Sequence, residues 1–133
     1  MYLLDTNACI RILNGTAPSL TEHLRSVPRS LVRLSSVVKG ELFYGARKSS
    51  RMAENLRLLE RFFETIASLP FDDRCAEEYG LIREELDRAG KPIGPNDMLI
   101  AATARAHGAV LVTHNIREFS RVAELRLEDW ESA

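Results

Sequence analysis

Three carboxylates in this sequence stand where apolar or helical runs begin or end. Asp5 directly follows Met1-Tyr2-Leu3-Leu4, Glu41 lies beside Leu42, Phe43 and Tyr44, and Asp97 sits in Gly94-Pro95-Asn96-Asp97. Asn115 and Glu118, after Val110-Leu111-Val112-Thr113, add an amide and a fourth acid. Asp5 is the most informative of these, because a carboxylate that follows a buried strand costs free energy unless it is paired or holds a metal. Ligands of open α/β sheets bind outside the carboxyl ends of the strands, which is where Asp5 falls. Gathered together, such groups repel one another, and a hard divalent cation with oxygen-preferring coordination, Mg²⁺ or Mn²⁺, relieves that repulsion. A cation held there could activate a bound water, chemistry that needs no nucleophilic side chain.

Quieter roles compete at each position. Acids near a helix start favour the helix dipole, which accounts for Asp97 on its own, and a single helical Glu such as Glu41 usually faces solvent. Thr6, Asn7 and Thr113 either orient the carboxylates and a metal-bound water or serve as turn and cap residues. His114 beside the presumed site is read as a solvated loop residue, His107 as a helix ending, and His23 has no visible partner. Trp130 is expected to pin the C-terminal segment to the core.

These residues are far apart in sequence, so only a parallel sheet that collects strand ends can bring them together. The pattern supports one. A strand over about 1–5 leads into a helix that Asn14-Gly15 stops, and Pro18 opens a second short helix ending near Pro28. Leu31 to Ser35 reads as a strand, and Ser35 or Ser36 caps a helix to about 48. A strong helical period covers 52–67, a strand is expected over about 68–71, and Asp72 or Asp73 caps a helix over about 74–89. Residues 90–95 read as a loop, Asn96 as the cap of a helix over Met98 to Ala106, and 110–113 as a second fully apolar strand. A last strand is expected near 125–127. Strand and helix alternate, which implies an α/β domain with a mainly parallel sheet of four to five short strands covered on both faces.

The 133 residues are enough for one ordinary core, and the whole chain is expected to be a single domain. No apolar run reaches membrane-span length and no secretory leader is visible, so a soluble cytoplasmic protein without membrane association is expected. Cys9 and Cys75 share no CxxC or Cys/His spacing; both are expected reduced and partly buried, with neither a zinc site nor a disulfide. The net charge of −1 hides an asymmetry, since residues 25–61 carry nine bases against three acids. Lys39, Arg47, Lys48 and Arg51 within that stretch are candidate contacts for a polyanion, against the alternative of solvated helix faces.

The chain resembles the PIN-domain ribonucleases, and among them the VapC toxins of bacterial toxin–antitoxin pairs. The resemblance rests on Leu3-Leu4-Asp5-Thr6-Asn7, on Ser35 through Ala46 with Glu41 at its centre, on Gly94-Pro95-Asn96-Asp97-Met98-Leu99-Ile100-Ala101, and on Val112 through Phe119. It runs on to Leu127-Glu128-Asp129-Trp130. It implies a PIN-like three-layer sandwich, with Asp5, Glu41 and Asp97 as the acidic metal-binding set and Thr6 and Thr113 near it. The family's frequent fourth acid is Asn115 here, an amide with one carbonyl oxygen and no charge, so Asn115 itself and Glu118, acting through water, are the further candidate metal ligands. The resemblance further implies Mg²⁺- or Mn²⁺-dependent cutting of a cellular RNA, a tRNA or a ribosomal RNA loop, with inhibition of translation. It also implies neutralisation by a cognate VapB-like antitoxin, and homodimerisation.

Rival readings have identifiable weaknesses. Phosphatases of the haloacid dehalogenase kind need a second Asp two residues after the first, and that position is Asn7. Neither GxSxG nor GxxxxGK[ST] occurs, which disfavours serine hydrolases and P-loop NTPases. A non-catalytic PIN-like binding module would have no need of three mutually repelling acids. DNA as the substrate stays open, because nothing visibly reads a 2′-hydroxyl.

Overall fold

The computed structural model describes residues 1–131. Its elements run β1 (Tyr2–Leu4), α1 (Thr6–Asn14), α2 (Pro18–Ser26), a 3-10 turn (Arg29–Leu31), β2 (Val32–Ser35), α3 (Ser36–Arg47), α4 (Met52–Glu64), β3 (Ala67–Leu69), α5 (Asp73–Ala89), α6 (Pro95–Ala106), β4 (Val110–Val112), α7 (Ile116–Phe119) and β5 (Leu127–Glu128).

The five strands form one wholly parallel sheet in the order β3-β2-β1-β4-β5. Each step along it therefore needs a crossover, and the helices supply all of them. The chain builds outward from β1 through β2 to β3, then returns to the other side of β1 for β4. Tyr2 pairs with Val32 on one side and with Val110 on the other. That reversal beside β1 is a topological switch point, and it places the C-terminal ends of β1 and β4 side by side.

The central strands are apolar because both faces of the sheet are covered: Leu3, Leu4, Val32, Leu34, Leu111 and Val112 are all buried. One cluster joins them to α1, α3, α5 and α6. Helix α6 is the most deeply buried, with Ile100, Ala101, Ala102 and Ala104 fully inaccessible, so its small side chains let it lie close to its neighbours. Trp130 is buried and does pin the C-terminal segment: its ring stacks on His23 at 4.2 Å and meets Tyr2 edge-on. His23 thus has a partner that sequence spacing does not reveal.

Several expected boundaries shift. Asn96 is not the cap of α6, because the helix opens at Pro95 with Gly94 as the capping residue. The fixed φ of proline suits the first helical position, where its missing N–H is not needed. Ser35 and Asp72 are the caps of α3 and α5, accepting from the N–H groups of Val38 and Cys75. β3 begins one residue early, β5 falls at 127–128, and α7 and the 3-10 turn are additional. Cys9 and Cys75 are free, and both are fully rather than partly buried. No helix among the described residues is long and apolar enough to cross a membrane.

Candidate active site

Asp5 leaves β1 and becomes the N-cap of α1. Its backbone N–H donates to the Val112 carbonyl at 3.0 Å, one step beyond the β1–β4 ladder, which fixes its place at the switch point. One side-chain oxygen accepts from the Ala8 N–H at 2.8 Å and the other from the Thr113 hydroxyl at 2.6 Å. Thr113 is in turn held at the end of β4, its own N–H donating to the Glu128 carbonyl of β5. Burial is the main influence on the Asp5 carboxyl and raises its pKa, while the Thr113 and Ala8 hydrogen bonds partly oppose it.

Glu41 reaches the same place from the middle of α3. Its Oε1 accepts from the Thr6 hydroxyl at 2.7 Å, linking the first residue of α1 to a helix that follows β2. Thr6 and Thr113 are therefore orienting residues, one for Glu41 and one for Asp5. Asn7 is exposed and lines a small cavity of about 150 Å³ with Asp5, Arg11, His114 and Asn115.

Asp97 is the third residue of α6 and half-buried. Its carboxyl is pushed up to about 6, first by burial and then by the negative charges of Glu118, Glu41 and Asp5. The order matters, since three separate elements contribute a carboxylate close enough to disturb a fourth. Asp97 forms no hydrogen bond or ion pair of its own among the described residues. Asn115 and Glu118 are paired with each other, the amide donating to Glu118 Oε2 at 2.7 Å, and the Asn115 N–H donates to the Thr113 hydroxyl. The amide thus works as a holder for Glu118.

All the anionic donors here are carboxylate oxygens, with hydroxyl and amide oxygens behind them. That set fits a hard divalent cation, and the raised Asp97 carboxyl is what such a group shows when its neighbours' charge is uncompensated.

The candidate basic residues lie elsewhere. The Lys39 ammonium stands 4.6 Å from the Phe63 ring centroid, where burial lowers its pKa; two residues from Glu41 on α3, it faces a different side of the helix. Lys48 lies over Tyr44, and Arg47 and Arg51 are exposed. One residue of the cavity, Arg11, was not anticipated, and His114, expected as a solvated loop residue beside the site, is exposed but also paired. Arg11 lies one turn beyond Asn7 on α1, so helical spacing from Asn7 was the available signal; it pairs with Glu131 at 2.9 Å. His114 pairs with Asp129 at 3.0 Å, a contact made only when β5 brings the C-terminal segment back. Beside Glu41, between α1, α3 and α4, runs an apolar groove of about 330 Å³ lined by Ile10, Leu13, Leu42, Ala46, Leu58 and Leu59.

The family model described as PIN domain matches residues 2–125. The chain is 43% identical over 129 residues to the tRNA(fMet)-specific endonuclease VapC of Shigella flexneri, a match covering 97% of each chain. It is 39% identical to ribonuclease VapC2 of Rickettsia felis over 98% of each. Among solved structures it is similar to DNA-bound VapBC from Salmonella typhimurium, with a TM-score of 0.92, 40% identity and 97% of each chain covered. The VapBC2 complex of Rickettsia felis on a promoter DNA fragment aligns with a TM-score of 0.91 at 38% identity, over 97% of this chain and 98% of that one.

Proposed function

The chain belongs to the PIN-domain family and, within it, to the VapC ribonucleases, and on that premise we propose that it is a divalent-metal-dependent endoribonuclease that cuts a tRNA. The observation that carries the metal assignment is the convergence of Asp5, Glu41, Asp97 and Glu118 from four helices at the carboxyl end of the sheet, close enough that the charges of the other three, after burial, push the Asp97 carboxyl up to about 6. A scaffold would gain nothing from that repulsion, whereas a Mg²⁺ or Mn²⁺ site requires it.

Asp5, Glu41 and Asp97 would hold the cation, with Glu118 as the fourth acid, positioned by Asn115. A divalent ion bound there would lower the pKa of an attacking water and offset charge building on the phosphate and the leaving oxygen. Thr113 keeps the Asp5 carboxylate turned toward the site, and Thr6 does the same for Glu41. Glu41 would complete the metal's shell or take the water proton. Asn7 and Arg11 line the cavity over Asp5, where the RNA backbone would lie. The identity of the Shigella relative favours a tRNA, with initiator tRNA first, over a ribosomal loop.

The complexes formed by the structural neighbours support a VapB-like antitoxin as partner. The apolar groove that runs past Glu41 suits an amphipathic segment, and an Arg or Lys carried on it to the carboxylates would compete with both cation and substrate. A homodimer acting in the cytoplasm on its tRNA completes the reading.

The test is cleavage of purified initiator tRNA and of a panel of other tRNAs, with Mg²⁺, with chelator, and with Mg²⁺ restored, mapping new 5′ ends. Cleavage that ignores the chelator would remove the metal, and equal cutting of every tRNA would remove the initiator preference.

A further inference from the structure

Away from the carboxylates, the N-terminal end of α5 meets the C-terminal end of α6, and three side chains of different ligand chemistry converge there. Asp72 caps α5, Cys75 is its third residue, and His107 directly follows α6. One ligand atom from each lies within 4.8 Å of the other two. Cys75 Sγ is 3.8 Å from His107 Nε2.

We propose that Asp72, Cys75 and His107 form a second cation site, selective for zinc, that clamps the start of α5 to the end of α6. Thiolate, imidazole and carboxylate are the ligands zinc takes, and three protein ligands leave its fourth position to water. The separations suit it. Zn–S of about 2.3 Å and Zn–N of about 2.0 Å at a tetrahedral angle put sulfur and nitrogen about 3.5 Å apart, and the observed gap of 3.8 Å closes with a small rotation of His107. The spacing of Asp72 and Cys75 places both on one side of the helix start, and the Cys75 N–H donates to Asp72 Oδ1 at 3.1 Å, which orients the carboxylate. The frame around them is tied independently of any ion: Arg74 donates to the Ala106 carbonyl at 2.6 Å, and the His107 N–H to the Thr103 carbonyl at 3.2 Å.

Access is one-sided. Cys75 is fully buried and forms the floor, while Asp72 is exposed and forms the rim. Binding releases the Cys75 thiol proton to solvent, leaving thiolate on the metal, so occupancy rises with pH. Sulfur in the set turns away Mg²⁺, while the all-oxygen catalytic site favours it, so each ion has its own place.

Cobalt is the probe, because thiolate ligation gives Co²⁺ a near-ultraviolet charge-transfer band that an oxygen-only site cannot produce. Titration of the folded full chain with Co²⁺ is expected to give that band, saturating at one ion per chain and abolished by added Zn²⁺. Cys75→Ser loses the band, His107→Gln weakens it, and Asp5→Asn keeps it. Zn²⁺ raises the melting temperature of the parent chain and not that of Cys75→Ser. A folded parent chain that gives no band, or a band that survives in Cys75→Ser, overturns the proposal. Retention in Asp5→Asn keeps this outcome separate from that of the catalytic reading.

Discussion

Asp5 and Asp97 are both acids of the same site, yet the chain treats them in opposite ways. Asp5 is 5% exposed and has an assigned partner for each oxygen, a backbone N–H of α1 and the Thr113 hydroxyl, so it is part of the scaffold as well as of the site. Asp97 has no such partner and is surrounded by carboxylates, so its position comes only from the start of α6. One acid is anchored by the fold and one is held at its expense. The difference teaches that the site's negative charge is loaded unevenly, with most of the unrelieved repulsion on the α6 side.

The largest effect expected is on catalysis, where the contrast should vanish. Asp5→Asn and Asp97→Asn each remove a charge proposed to hold the metal, and each should lower RNA cleavage by on the order of a hundredfold or more at fixed Mg²⁺. Cleavage by either variant at the parent rate would break the assignment of both acids to one cation.

Stability should then separate them. Asp5→Ala removes an N-cap, typically about 1 kcal/mol, and leaves the buried Thr113 hydroxyl short of an acceptor, a further cost of about 1–3 kcal/mol that relief of carboxylate burial partly offsets. Asp5→Asn keeps a capping oxygen and should lose much less. Asp97→Asn should raise the melting temperature of the metal-free protein, because it deletes repulsion without deleting a contact. Chemical denaturation of the three variants in chelator checks the ranking, and a destabilised Asp97→Asn would sink it.

The smallest and sharpest effect is the pH dependence. The Asp97 carboxyl titrates near 6 when folded against 3.8 ordinarily, so between those values the folded chain binds more protons than the unfolded one. A raised carboxyl pKa of this kind contributes stability that is present at the acid side and is lost as pH rises through about 6. Metal-free melting temperature should therefore fall as pH rises from about 4 to about 7 by the part due to this group, and Asp97→Asn should flatten that slope. Measured in excess Mg²⁺, the slope should also shrink, because the cation rather than the proton offsets the charge.

Much of this was legible in the sequence, for reasons that differ by element. β1 and β4 are short apolar runs that stop at polar residues, as covered parallel strands do, so Asp5 could be placed at a strand's carboxyl end, while the strand order that makes it a switch point could not be read. The caps Ser35 and Asp72 announced α3 and α5 because their side chains do the capping. Gly94 caps α6 with no side chain, and Asn96 offered a false cue beside it. α7 and the 3-10 turn are too short for any period to register. Arg11 with Glu131, His114 with Asp129, and His23 with Trp130 depend on where the last residues fold back, which spacing along the chain does not encode. Cys75, in α5, and His107, just past α6, are thirty-two positions apart and escape any motif for the same reason.

The sheet order carries a consequence for how the protein is born. β1 is made before the other strands of the sheet but occupies its middle, and one of its two neighbours is β4, at Val110–Val112. Asp5 meets Thr113 across 108 positions of sequence, so a nascent chain shorter than that has the acid without its hydroxyl partner or its ladder. At about 5–20 residues per second that interval lasts roughly 5 to 20 seconds. Until β4 is made, Asp5 lacks both the strand and the hydroxyl that fix it, so the acidic end of the sheet is among the last parts of the fold to assemble.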